Sequence, residues 1–302
     1  MNRDKNINNI GDGGTGMKKN SKLFFSGVIV LTITTVLVKG IGLLFKIPMH
    51  SYLGDEGMGY FNSAYLIFTL FYMVSTAGLP VAVSIMISES RAKGNFRQAK
   101  RIYNLCLWLF FAIGLAGMSA MLFGSKLFAR IIDSDGSFYA ILACAPTLFF
   151  ICLTSAMRGY FQGYQYMTPT AISQLIEALG KLGIGILLAI WAINKGYGLP
   201  VVAAFAMLGL TIGVAAGTFY LWISRLLFKE SKYNAQYLLP NSGSMPVDSS
   251  GTILRRLINI AVPITVSSSV MSLTNIIDLL LVARCLQANG LTEAEATALY
   301  GN

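Results

Sequence analysis

Charge is what this chain has least of. Only 12% of its 302 residues are Asp, Glu, Lys or Arg, while 55% are apolar. A soluble domain carries about 25% charged residues, and 12% cannot cover a surface that faces water throughout. The class is therefore integral membrane protein, all-α, with no stretch that reads as an independent soluble domain. Histidine is nearly absent: the one copy, His50, closes the first apolar run. The four cysteines, Cys106, Cys144, Cys152 and Cys285, lie in or beside apolar runs, without CxxC spacing and without a neighbouring histidine. They read as core residues, so no metal site and no cofactor is expected. Enzyme motifs are missing too. There is no Walker A loop, no GxSxG and no HExxH, and DSDG at 133–136 reads as a solvated turn. No catalytic residue is assigned, and the chain reads as something other than an enzyme.

What is present is a series of apolar runs long enough for helical spans, which need about 20 residues each. Seven are read, at roughly 23–48, 60–88, 102–123, 138–160, 168–193, 199–224 and 257–284. Residues 1–22 form a polar, Gly/Asn-rich tail expected to be disordered. The run after it is too long for a signal peptide. Pro80, inside the second run, predicts a kink. Residues 225–256 form the one long linker, with a middle rich in Ser, Gly and Pro that reads as flexible. The organisation is then a tail (1–22), an N-lobe of six spans (23–224), a linker (225–256) and a seventh span that starts a second, incomplete lobe (257–302). An odd span count suggests a chain that continues.

The net charge of +10 has a topological explanation. With the N-terminus in the cytoplasm, the tail holds five Lys/Arg, the 89–101 loop five, the 158–168 turn one and the linker five. The opposite side holds none at 49–59, two at 124–137, one at 194–199 and one at 284–302. Cytoplasmic loops collect Lys and Arg, so the N-terminus is placed inside and no nucleic-acid partner is needed.

Ionisable residues within spans are costly, at about 2.5–3.5 kcal/mol each on insertion scales, and usually face a bundle interior or aqueous cavity. They are Lys39 and Lys46 in the first span, Glu177 and Lys181 in the fifth and Asp278 in the seventh; Arg158 and Arg284 close the fourth and seventh. Lys39 and Lys46, seven apart, share one helix face. Glu177 precedes Lys181 by four, the better order for an intrahelical pair; the pair either neutralises itself or serves a site. Lys46 has the alternative of snorkelling to the interface, and Arg158 and Arg284 that of anchoring it. Lys39, mid-span with no acid within a turn, reads as a cavity residue. Asp278 either balances a lysine of the first lobe or binds a cation. The glycine stripe Gly209, Gly213 and Gly217 reads as a close helix crossing.

Three stretches carry a family resemblance: LVKGIGLLFKIPMHSYLGDEGMGYFNSAY at 37–65, STAGLPVAVSIMISE at 75–89 and RGYFQGYQYMTPTAISQLIE at 158–177. They resemble the SpoVB-like polysaccharide biosynthesis proteins of the multidrug/oligosaccharidyl-lipid/polysaccharide (MOP) exporter superfamily, a branch related to the lipid II flippase. The resemblance implies a MATE-like bundle of two six-helix lobes around a central cavity, working by alternating access. It implies a lipid-linked sugar as substrate, with membrane lipids as surroundings. Basic residues on the first helix of such relatives suit a pyrophosphate. Lys39 falls on the first of those positions; the second falls at Phe45, with Lys46 beside it. A third basic position falls near Tyr72, an uncharged residue, which leaves the substrate open. On this reading Lys39, Lys46, Arg158 and Lys181 meet the head group and Glu177 positions Lys181 or Arg158, while Glu177, Asp278 and Arg284 support the site or couple an ion, Na+ or H+. The expected setting is a bacterial cell membrane. The rival reading within the superfamily is a cation-coupled multidrug exporter, which needs buried carboxylates. Rivals from other classes are a polytopic enzyme of glycan assembly, which lacks a catalytic cluster here, and a membrane scaffold, which gives no reason for Lys39.

Overall fold

The apolar runs fold as long helices, because in a membrane each backbone amide has to be satisfied within its own segment. The structure, a computed structural model, describes residues 13–76, 78–132, 134–234, 246–267 and 270. Helix α1 covers Gly13–Thr76, α2 Leu79–Ala92, α3 Phe96–Ile131, α4 Phe138–Gly163, α5 Thr168–Asn194, α6 Leu199–Leu227 and the short α7 Glu230–Asn234. A further helix, α8, runs over 250–267. Among the described residues all regular structure is helical. Among these residues five helices are long and apolar enough to cross a membrane, the first over Gly27–Met73.

That first helix is two arms. Gly54 sits at φ 63°, ψ −174°, a conformation reserved for glycine. The expected 49–59 turn is thereby compressed into one residue. The arms fold back on each other: the Phe45 and Phe61 rings lie 5.7 Å apart, although sixteen residues of straight helix would separate them by about 24 Å.

Three boundaries differ from the sequence reading. Helix α1 begins at Gly13, inside the stretch read as a disordered tail. Pro80 does not kink a span. Helix α1 ends at Thr76, and α2 starts at Leu79 with Pro80 in its first turn, where proline's missing N–H costs nothing. Helix α8 starts at 250, within the expected linker. The linker's middle, and most of the seventh span with Asp278, Arg284 and Cys285, lie outside the described residues.

Helices α4 and α6 form the centre. Helix α6 packs along α5 and α4, α3 along α4, α2 against α4 and α3, and α1 against α5, α4 and α6. Threonine pairs tie α4 to α6: the Thr147 and Thr211 hydroxyls are 2.7 Å apart, and so are those of Thr154 and Thr218 one heptad on. Each pair is buried and satisfies its own polar atoms, as interhelical contacts in lipid must. Glycines bring α5 onto α6, as the stripe predicts: a Cβ on Gly180 would lie 2.4 Å from the Gly213 Cα. Cys106, Cys144 and Cys152 are buried core residues.

Helix α8 lies against α2. Its Ile253, Leu257 and Ala261, spaced by four, are buried in one cluster with Ala82, Val83, Met86 and Ile87. The Gly78 amide donates to the Thr265 hydroxyl at 3.1 Å, and a Cβ on Gly78 would come within 2.1 Å of the Ala261 carbonyl oxygen. Gly78→Val is therefore expected to dislodge α8. Amide exchange across 250–267 should accelerate at least about tenfold, the loss of roughly 1.4 kcal/mol of local protection. Unchanged exchange would mean the crossing tolerates a side chain.

Candidate functional site

Five helical segments each turn one stripe of residues towards a common cavity of about 460 Å³. The first arm of α1 offers Thr35, Val38, Lys39, Gly42 and Phe45, and the second arm Tyr65, Phe68, Thr69 and Tyr72. Helix α4 supplies Ile151 and Arg158, α5 supplies Gln174, Glu177, Ala178 and Lys181, and α6 closes the wall with Leu210 and Val214. The spacings of three, four and seven are those of a single helix face. The glycine crossing of α5 on α6 holds the α5 stripe in place. Gly217 of α6 leaves room for Glu177, since a Cβ there would meet the Glu177 Cγ at 3.0 Å.

The sequence candidates divide. Lys39, Arg158, Glu177 and Lys181 come together on this wall. Lys46 does not line it: its side chain is exposed. Seven residues put Lys39 and Lys46 on one face but also about 10 Å apart along the axis, and the cavity ends at Phe45. Asp278 and Arg284 fall outside the described residues.

Glu177 takes a partner other than Lys181. Arg158 Nη2 donates to the Glu177 Oε1 at 2.7 Å, and the two side chains are only 16% and 18% exposed. Arg158 also donates to the Ser173 hydroxyl through Nε at 3.1 Å and Nη2 at 3.0 Å. Ser173 in turn donates to the Thr170 carbonyl at 2.7 Å. The guanidinium is thus fixed between α4 and α5 by its planar fork of donors.

Lys181 is held by rings. Its Nζ lies 4.7 Å from the Tyr65 centroid, 4.9 Å from Phe45 and 5.9 Å from Phe61, distances at which aromatic faces attract a cation. The fold-back at Gly54 assembles this cage, because it brings Phe45 to Phe61. A basic side chain therefore stands over Phe45, the position where the resemblance expected one, but it arrives from α5. Lys39 has no ion-pair partner among the described residues. Among the described residues the cavity wall holds three cations against one carboxylate, and that carboxylate is engaged by Arg158.

Two features escaped the sequence reading. One is the aromatic cage, whose rings come from both arms of α1. The other is Gln174, whose Oε1 is buried without a hydrogen-bond partner. Its spacing to Glu177, Ala178 and Lys181 was the signal available. Chemically, the wall offers two lysines to an anion and one amide oxygen to a hydroxyl or amine donor.

Comparison with known proteins follows this geometry. The family described as polysaccharide biosynthesis protein matches residues 24–300. Stage V sporulation protein B of Bacillus subtilis is 27% identical over 279 residues, covering 92% of this chain and 52% of that protein. The lipid II flippase MurJ of the same organism is 27% identical over 269 residues, covering 85% of this chain and 49% of that protein. The chain thus spans about half the length of these curated relatives. A MOP superfamily transporter from Pyrococcus furiosus, described as having a binding pocket of reverse polarity, superposes with a TM-score of 0.64 at 18% identity, covering 91% of this chain and 58% of that one. A MATE protein in its straight conformation superposes with a TM-score of 0.65 at 17% identity, covering 93% and 59%. The helical bundle is of the MATE/MOP type.

Proposed function

The chain belongs to the polysaccharide biosynthesis protein family, and from that premise we propose that it forms part of a transporter that flips a lipid-linked, pyrophosphate-bearing oligosaccharide or peptidoglycan precursor across the cell membrane. The observation that carries the reading is the sign of the cavity: Lys39 and Lys181 face it, and its one carboxylate is tied to Arg158. A pyrophosphate is an anion that has to be held and then released. Point charges on flexible stems suit that better than a rigid bidentate clamp. Lys39 receives the head group, Lys181 is kept pointing inward by its aromatic cage, and Gln174 offers an acceptor to the sugar. Alternating access then exposes the cavity to one face of the membrane and the other, with the N-terminus in the cytoplasm. A multidrug exporter for organic cations is disfavoured on the same ground, because among the described residues a cationic substrate would meet two lysines without a carboxylate partner and no free carboxylate on this wall.

The test uses the full-length protein reconstituted in vesicles, with translocation of a fluorescent lipid-linked sugar pyrophosphate as readout. Lys39→Gln is expected to lower the rate by about tenfold or more, the cost of losing one charge-assisted contact. Lys39→Arg should retain a measurable fraction, since charge matters more than shape. Full activity of Lys39→Gln would refute the reading, and equal failure of both variants would point to packing.

A further inference from the structure

A second concave surface lies outside the cavity, where the N-terminal end of α3 meets the start of α8. It is a groove of about 520 Å³, lined by Arg97, Lys100, Arg101, Leu105, Trp108 and Ser250 among others. We propose that this groove binds the phosphate head group of an anionic phospholipid from the adjoining leaflet. The proposal does not rest on the transport reading.

Charge and depth point the same way. Positions 97, 100, 101, 105 and 108 form one helix face, so three cations stand in a row above two apolar side chains. From Arg101 to Trp108 is about 10 Å along the axis, the distance from a lipid phosphate down to the upper acyl chain. Trp108 is 72% exposed, braced edge-on by Phe111 at 5.8 Å, and tryptophan favours this interfacial depth. A soluble anionic partner, such as a phosphopeptide or a nucleic acid, gives no use for Leu105 and Trp108 beneath the cations. A phospholipid uses both halves of the groove.

The cations are also available. Arg97, Lys100 and Arg101 are exposed. The neighbouring carboxylates are engaged elsewhere: Glu89 pairs with Lys93 at 3.1 Å and with Arg256, and Asp248 accepts from Gln98 Nε2 at 2.8 Å. The start of α8 adds to the wall through Ser250, which accepts from Arg101 Nη2 at 3.3 Å. A bound lipid would brace this junction between helices far apart in sequence.

Trp108 provides its own reporter. With Trp191→Phe and Trp222→Phe, and any tryptophan outside these 302 residues likewise replaced by Phe, it becomes the one indole of the protein; the 302 residues hold three. The full-length protein is placed in vesicles containing a small fraction of either phosphatidylglycerol or phosphatidylcholine brominated in the upper acyl chain. Brominated phosphatidylglycerol is expected to quench Trp108 with a constant about tenfold higher, given three cations acting at the surface. The combined Arg97→Gln, Lys100→Gln and Arg101→Gln variant should lose the preference. Equal quenching by the two lipids in the parent protein would overturn the proposal, whether or not the variant folds. So would loss of the preference on adding millimolar inorganic phosphate, which would assign the groove to free phosphate.

Discussion

Arg158→Met is expected to cost the protein about 3 kcal/mol, the lower end of what removing one partner of a buried ion pair takes. The reason lies with Glu177, which would be left in a largely enclosed wall, 18% exposed, without its guanidinium. Water entering the cavity of about 460 Å³ beside it tempers the loss. The reciprocal Glu177→Gln should cost less, because the amide oxygen can still accept from Arg158. Arg158→Met combined with Glu177→Leu should recover most of the stability, since a well-packed apolar pair replaces a buried ion pair with little penalty. Thermal unfolding of the detergent-solubilised protein measures all three, and Glu177→Leu alone completes a cycle with Arg158→Met and the double whose coupling term is read directly. A contrast comes from Lys181→Met. It removes a cation from an aromatic cage, worth about 0.5–2 kcal/mol, and leaves no charge stranded. If Lys181→Met destabilised as strongly as Arg158→Met, Glu177 would have to be sharing its charge with Lys181, and the interhelical pairing would be wrong.

Gly209→Val should be worse still for folding. A Cβ at 209 would fall 2.2 Å from the Cα and 2.3 Å from the amide nitrogen of Gly185. Backbone cannot yield as a side chain can, so α5 and α6 have to separate. Overpacking in a tight core costs about 1–3 kcal/mol and sometimes more, and this crossing belongs to the severe end. Its separation would also carry Glu177 and Lys181 off the cavity wall. The same crossing supplies its own control. A Cβ at Gly185 would meet the Ala206 oxygen at 3.2 Å and the Phe45 ring at 3.3 Å, and a Cβ at Gly183 would meet nothing within 4 Å. Gly185→Ala should therefore be mild and Gly183→Ala neutral or stabilising. Accumulation as a monodisperse species in detergent separates these outcomes. Similar behaviour of all three would mean that the Gly209–Gly185 approach is looser than the structure has it.

Much of this was legible in the residues. Low charge and long apolar runs dictate helices in a membrane, because lipid forgives neither a bare amide nor an open sheet edge. The stripe of Gly209, Gly213 and Gly217 announced a close crossing, because small residues repeating every four positions put a bare strip along one helix face. An ionisable residue mid-span marks a cavity, because nothing else repays its transfer, and four of the seven residues chosen on that ground line one. The stretches at 37–65 and 158–177 carried the family resemblance and contain those four residues except Lys181.

The rest depended on where helices meet, and a single chain of letters does not carry that. Local spacing favoured Lys181 as partner of Glu177, one turn away; packing of α4 on α5 put Arg158 nearer, from 19 residues upstream. Helical periodicity placed Lys39 and Lys46 on the same face. The cavity took the first and left the second exposed, because its depth is set by Phe45 and the opposite arm. One glycine with a positive φ folded α1 back on itself and built the cage for Lys181 from rings sixteen and twenty residues apart. That the chain lives in a membrane as helices with cations turned inward follows from hydropathy and period alone, which are one-dimensional properties. Which cation finds which carboxylate, and which rings surround the remaining one, was decided by tertiary structure. Hydrogen-bonded ion pairs and cation–π contacts form only within about 4–6 Å, and distances of that scale are fixed by packing.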